Sequence, residues 1–343
     1  MRKAKKDHAA FILIFVLWAL AFLAVLAVAV GLGAGQKIAL LKHLENRSQS
    51  RLAAEAGAKK AVSVLMDDVE NSLFGFSAAS KQRRHNNPSE FTGKLSEEIS
   101  FEVSCRAYDD VAQALTSRAG LCDEQGKINL NTTDAATLKR LIEDVLALSS
   151  NDARALAVSI IDWRDYGEHE AAGFFSDDYY SNLDFPYDLK DQKYERIDEL
   201  LLVKGMDGGI YNGLLPYLTI YGDGKININT VSGKVLVAFG LDAALAEKIL
   251  KVRRGPDGIE ATGDDHIFAR TFDVAIEVNA VEPLLEKEAR AIDALNLLQV
   301  LSTASSVYSA RSFSYDVRES APGASVMFVY NAAGQKMMYW HEK

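Results

Sequence analysis

A chain of 343 residues with 48% hydrophobic and 25% charged side chains has the material for one large core or two to three modest ones. Its formal net charge is −9, and residues 1–10 (Arg2, Lys3, Lys5 and Lys6 against Asp7) carry +3 of it, so the remainder carries −12. A body this acidic suits a phosphate backbone poorly, because nucleic-acid binding draws on Lys and Arg displacing counterions.

The chain opens on its plainest signal. Ala9 to Gln36 contains no charged side chain, and its centre reads FILIFVLWALAFLAVLAVAV. A helix of about 20 apolar residues spans the hydrocarbon layer. Basic flanks stay in the cytoplasm, so the four cations ahead of this run put the N-terminus inside and everything after Lys37 outside. A cleaved signal peptide has a similar start but only about 7–15 apolar residues. The run therefore reads as a retained anchor, residues 11–33, behind a cytoplasmic leader, residues 1–10. No proline interrupts Lys37–Leu73, and Gly57 is its one glycine. Ala, Leu, Glu and Lys dominate there, so the helix is expected to continue to about residue 73. Ala54, Ala58, Ala61, Leu65 and Val69 recur every three or four residues and give it one face to bury.

Phe101–Cys105 has strand character. Cys105 and Cys122 both fall outside the cytoplasm, where oxidising conditions favour a disulfide over two buried thiols. Next comes an internal repeat: Gly126-Lys127-Ile128-Asn129-Leu130-Asn131-Thr132 returns as Gly224-Lys225-Ile226-Asn227-Ile228-Asn229-Thr230. Each copy begins like a short strand and ends on Asn-Thr, a helix N-cap signal. Asp162–Glu199 holds 12 acids against Arg164, Lys190, Lys193 and Arg196. Asp165, Glu168, Glu170, Asp177, Asp178 and Asp184 lie close together in it. Such a run is either a solvated loop or a source of oxygen ligands for calcium. Asp257, Asp264 and Asp265 in GPDGIEATGDD form a second such stretch, which a polar hairpin loop explains equally well. At the C-terminal end Phe313, Tyr315 and Val317 alternate with polar residues, Val326–Tyr330 is a short apolar run, and Asn331–Gly334 turns into KMMYWHEK. These predict an antiparallel sheet with one face buried, shared with Phe101–Cys105.

A helix half in lipid and half on a globular head resembles the type IV pilin and pseudopilin family. Leu17-Trp18, Ala53-Ala54-Glu55-Ala56-Gly57, Ile161-Asp162-Trp163-Arg164-Asp165 and the repeated GKIN narrow the resemblance to the type II secretion system protein K family, the large minor pseudopilins. That resemblance implies an α+β chain: a transmembrane long helix, a pilin-like head (34–125 and 295–343) with an antiparallel sheet, and an inserted all-α domain (126–294) of tandem helix-hairpin-helix, sterile-alpha-motif-like modules. It implies cleavage between Ala10 and Phe11 by an inner-membrane prepilin peptidase, with methylation of Phe11; Ala10 stands where the family has glycine. Phe15 stands where most pilins carry a glutamate that meets a neighbour's N-terminus, an absence that suits a subunit at a filament tip. The resemblance also implies calcium in the insert, with Asp165, Glu168, Asp177, Asp178 and Asp184 as ligands, and minor pseudopilins of types I and J as partners.

Helix-hairpin-helix units also bind DNA, which raises a rival function. Here the hairpins read Lys204-Gly205-Met206-Asp207 and Phe239-Gly240-Leu241-Asp242, each with an aspartate at the turn to repel phosphate. A third reading is a single-pass scaffold with an uncleaved N-terminus. No HExxH, GxSxG, Walker loop or CxxC is present. The expectation is a non-enzymatic protein that binds other proteins and no nucleic acid.

Overall fold

Residues 5–71, 78–165, 177–317 and 321–343 are described by the computed structural model. The chain divides into two units, 1–52 and 53–343. Helix α1 (Lys5–Asn71) begins in the first unit, where Phe11–Ala29 has a mean hydropathy of 3.1 and none of it is buried.

In the second unit α1 continues from Ala53 and lays a stripe of small residues on a sheet. Ala53, Ala54, Ala58, Ala61 and Leu65 are fully buried against Ile99, Phe101, Val103, Tyr308, Ala310, Val326 and Phe328. The approach is close: a Cβ added at Gly57 would stand 2.3 Å from Ser312 Oγ and 2.8 Å from the Phe101 ring. Beyond the helix come α2 (Ala78–His85), α3 (Pro88–Phe91), β1 (Thr92–Lys94), β2 (Ile99–Asp109), β3 (Ala114–Ala119) and β4 (Cys122–Asp123).

The sheet is completed from the far end of the chain by β9 (Val307–Asp316), β10 (Ser325–Asn331) and β11 (Lys336–Glu342), in the antiparallel order β1-β2-β9-β10-β11. The alternation at 312–316 runs opposite to a simple hydrophobic pattern. Ser312, Ser314 and Asp316 face inward and are buried, whereas Phe313 and Tyr315 are half-buried on the other face and Val317 is exposed just past the strand. Small side chains are required where α1 comes this near, and the larger ones go outward. β2 pairs with β9 as far as Ser104–Arg311, and β4 then takes the place beside β9 at Cys122–Ser309. The Cys105–Cys122 disulfide joins the two strands at that handover.

Everything from Glu124 to Ser306 is inserted between β4 and β9. Leu295 and Leu301 pack in the insert's core, so it extends past residue 294, the limit expected from the sequence. In order it contains β5 (Ile128–Asn129), α4 (Ala135–Leu146), α5 (Ser150–Asp162), α6 (Asp177–Ser181), a 3-10 helix (Ile197–Leu202), α7 (Gly208–Leu214) and β6 (Leu218–Thr219). Then follow β7 (Ile226–Asn227), α8 (Gly233–Ala238), α9 (Ala243–Arg253), α10 (Val274–Val281), α11 (Glu286–Leu297) and β8 (Leu301–Ser302). β5 pairs in parallel with β6, and β7 with β8.

The insert is thus two copies of one plan. In the first, Asn129 Oδ1 accepts the Asn131 N–H at 2.8 Å; in the second, Asn227 Oδ1 accepts the Asn229 N–H at 3.1 Å. Asn131 accepts the N–H of Tyr194 (2.7 Å) and donates to its carbonyl (3.0 Å). Asn229 does the same to Phe268, at 2.9 and 3.0 Å. These asparagines are side-chain clasps and not N-caps; the caps of α4 and α8 are Asp134 and Ser232. Arg164 donates to the carbonyls of Leu130 and Thr133, and Arg253 to those of Ile228 and Val231.

The copies also face each other reciprocally. Gly126 abuts Thr230 while Gly224 abuts Thr132, and the bonds Gln125–Asp223 and Arg140–Ala238 each join positions 98 apart, the repeat offset. Residue i meeting j while j meets i is the mark of two-fold symmetry. One apolar core runs through both halves, separate from the core under the sheet.

Candidate functional site

The residues expected to be processed lie in the first unit. Ala10 and Phe11 are both within α1, and the Phe11 side chain is exposed, as are Phe15 and Trp18. Among the described residues this is the one helix long and apolar enough to cross a membrane.

In the second unit the notable chemistry lies where insert meets head, and the bonds there are largely ionic. Lys81 of α2 reaches Asp265 of the loop after α9, with Nζ 2.6 Å from Oδ2 and both side chains buried. Burial and the nearby Arg253 lower the Lys81 pKa, with Glu260 and Asp265 opposing. Glu260, in the same loop, bonds Arg253 and stands 3.6 Å from Arg118 of β3. Burial would raise its carboxyl, but Arg253, Lys81 and Arg118 outweigh that and hold it at about 2.

Beside this cluster His85 directs Nδ1 at the Leu121 carbonyl, 2.8 Å away, and buries Nε2. Burial, with Arg84 and Lys81, depresses its pKa to about 3, so the ring is neutral at physiological pH. Arg84 ties α1 to the sheet, with Asp68 at 2.7 Å and Tyr308 Oη at 2.9 Å. Asp123, on β4, accepts from Ser305 Oγ (2.5 Å), Thr230 Oγ1 (2.6 Å), Asn227 Nδ2 (2.9 Å) and the Gln125 N–H (2.8 Å). Burial still leaves its pKa raised. Such groups are expensive to bury unless paired; Lys81 with Asp265, Arg118 with Glu260, and Asp123 with Ser305, Thr230 and Asn227 cross the junction, while Arg84 and His85 are held within the head. The arrangement fixes the insert's orientation on the sheet. Sequence reasoning missed it because Lys81, His85 and Asp123 stand alone in the chain, with no motif around them.

The expected calcium ligands are not brought together by the described part of their loop. Asp165 accepts from Arg164 Nε at 2.6 Å, and Asp184 is exposed. Glu168 and Glu170 lie outside the described residues, as do the side chains of Asp177 and Asp178 at the start of α6. Among the described residues no three His, Cys, Asp or Glu side chains are placed to share a metal. In the second stretch Asp265 already holds Lys81, Asp264 Oδ1 accepts from Thr262 Oγ1 at 2.7 Å, and Asp257 Oδ1 accepts the Ile259 N–H at 2.8 Å. That loop is closed by the protein's own groups.

Both glycine turns are formed: Gly205 and Gly240 have φ of +83° and +97°, the left-handed region that favours glycine. The aspartates beside them are helix caps. Asp207 accepts the Ile210 N–H at 2.8 Å and Asp242 that of Ala244 at 2.9 Å. The amides that could cradle a phosphate at these turns are therefore partly taken by carboxylates.

Comparison with known proteins accords with this architecture. Residues 113–223 match the family model of type II secretion system (T2SS), protein K. The match ends where the second GKIN begins, so it covers the first copy of the repeat. A curated relative, type II secretion system protein K of Pectobacterium carotovorum subsp. carotovorum, is 28% identical over 142 residues, 41% of this chain and 41% of the relative's length. The fold is similar to a chain in the crystal structure of the GspK-GspI-GspJ complex from the enterotoxigenic Escherichia coli type 2 secretion system. The TM-score is 0.63 at 18% identity, over 88% of this chain and 99% of that one.

Proposed function

We propose that this chain is a member of the protein K family of the type II secretion system and serves there as a non-catalytic minor pseudopilin. In this reading the Phe11–Ala29 helix sits in the inner membrane with its N-terminus cytoplasmic and the second unit periplasmic. Its partners are the minor pseudopilins of types I and J, and together they form the tip complex from which a short pseudopilus grows. The insert caps that tip.

The observation that carries the proposal is where the insert lies. Residues 124–306 leave the head after β4 and rejoin it at β9, the strand that β4 pairs with, and α1 still packs on the sheet. A bulk this large, fixed by buried charges, has no room between stacked subunits and suits a terminal position. Phe15 agrees, since a subunit with nothing above it has no N-terminus to neutralise.

Mass spectrometry of the native protein tests the route of assembly. A methylated Phe11 at the N-terminus is expected, and an intact Met1 leader would favour an unrelated scaffold. Calcium belongs to the same proposal and rests on the density of acids at 165–184. Added calcium should raise the thermal midpoint of the protein, and an unchanged midpoint would remove the ion from it.

A further inference from the structure

Among the described residues, the loop and turn of the first repeat carry exposed apolar side chains. Phe185 is 88% exposed, with Leu201 at 48%, Leu202 at 45% and Tyr179 at 38%. Leu202 and Tyr179 are linked through Tyr187 and Tyr180, and Lys204 Nζ stands 5.1 Å from the Tyr179 ring centre. Tyr187 donates its hydroxyl to the Leu202 carbonyl at 2.7 Å, its ring lies 5.3 Å from that of Tyr180, and Tyr180 lies 5.2 Å from Tyr179. Phe185 is two residues before Tyr187 and directly precedes Pro186, which biases it to extended backbone and limits what it loses on binding. Scattered exposed apolar residues are ordinary, but a patch of aromatic and leucine side chains with a polar rim marks an interaction site.

The rim identifies the partner. Residues 177–199 hold eight acids and three bases, and two of the bases are spent internally, Lys190 on Glu199 at 2.9 Å and Arg196 on Asp198 at 3.0 Å. Asp184 and Asp188 flank Phe185-Pro186-Tyr187 and are exposed. The corresponding turn of the second repeat also exposes Phe272 and Ile276, with Arg270 bonded to Asp273 and His266 Nε2 2.6 Å from Glu277. In the first repeat the exposed acids stand directly beside an exposed aromatic side chain, Phe185.

We propose that this patch docks a basic polypeptide segment with an apolar anchor: the anchor packs against Phe185, Tyr179 and Leu202, and lysine or arginine beside it meets Asp184 and Asp188. The charges set orientation and encounter rate, and the buried anchor sets the lifetime. The inference goes beyond the tip-subunit reading and does not depend on it.

The test uses the full chain in zwitterionic nanodiscs and a fluorescein-labelled peptide, KKLFKK, with EELFEE as the control. Binding of KKLFKK should weaken at least tenfold in Phe185→Ser/Leu202→Ser. It should weaken and lose its salt dependence in Asp184→Lys/Asp188→Lys. Leu297→Ser/Leu298→Ser, which alters the exposed end of α11, should leave it unchanged. Equal affinity for the two peptides, or equal loss in the α11 variant, would overturn the proposal. So would dimers that dissociate in Phe185→Ser/Leu202→Ser without KKLFKK binding, which would make the patch a contact between copies of this chain. Co-purification of each variant with minor pseudopilins separates the two readings, since docking can fail with assembly intact and the reverse.

Discussion

In the first half of the insert, Arg164 closes its carbonyl pair beside Asp165, a carboxylate whose side chain is 41% exposed. In the second half, Arg253 makes the equivalent bonds with its own side chain 1% exposed and Glu260 over it. Backbone plan, asparagine clasp and glycine turn are shared, and the difference lies in the loop after the second helix. In the first repeat the described part of that loop leaves Asp184 and Asp188 exposed. The second folds it against the head, where Lys81 and Arg118 meet its acids. The second repeat meets the head through buried ion pairs, and the first through Tyr217 on Tyr108 and Arg196 over Tyr339.

The arginines offer the sharpest way to break this comparison. Arg253→Met would strand Glu260 and the carbonyls of Ile228 and Val231 inside the protein, an expected loss of about 3–5 kcal/mol. Arg164→Met also frees two carbonyls, but Asp165 can turn to water, so a loss of about 1–3 kcal/mol is expected. Urea denaturation of the two variants reads the difference. Equal losses would mean that closing the second loop adds no stability.

Acid should act on the second half first. The unfolded chain protonates His85 near its ordinary pKa of 6.5, while the native ring resists until about 3. The stability this supplies is complete above 6.5 and drains as pH falls toward 3. Between pH 7 and 5 the expected loss is about 2 kcal/mol, and it should be absent from His85→Gln. Glu260, held at about 2, adds a loss only below its ordinary 4.5. Because α2 carries both His85 and Lys81, hydrogen exchange at pH 5 should rise in residues 254–267 before it rises around Tyr194. A uniform rise would contradict a junction tied mainly to the second repeat.

Periodic and repeated features were legible in the sequence. The apolar anchor, the small-residue face of α1, the strands at 101–105 and 326–330 and the repeat offset all announce themselves through spacing. Features that depend on a distant partner did not. Ser312 and Ser314 read as a polar face because nothing local reveals that α1 will press against them at Gly57. Asn131 and Asn229 read as caps because their true partners, Tyr194 and Phe268, are 63 and 39 residues away. The arginines hid for a related reason. Arg164 lies 34 residues after Leu130 and Arg253 only 25 after Ile228, so their equivalence breaks the repeat offset. Lys81 and Asp265 stand in segments far apart in the chain, and only the folded chain brings them together.

The smallest expected effect concerns what the halves share. Asp207 and Asp242 each follow a left-handed glycine and each cap the next helix, so loss of either carboxylate should cost about 1 kcal/mol. The local consequence should differ. α7 is seven residues long with Gly208, Gly209 and Gly213 inside it, whereas α9 has eleven with Ala243 and Ala244 at its start. Glycine favours the unfolded backbone, so Asp207→Ala should fray α7 through its first turn. Asp242→Ala should leave α9 intact beyond its first amides. Hydrogen exchange at Tyr211 and at Ala246, whose N–H groups bond the Asp207 and Asp242 carbonyls, measures this: faster exchange at Tyr211 alone is expected, and matched increases would show that helix composition does not set the two repeats apart.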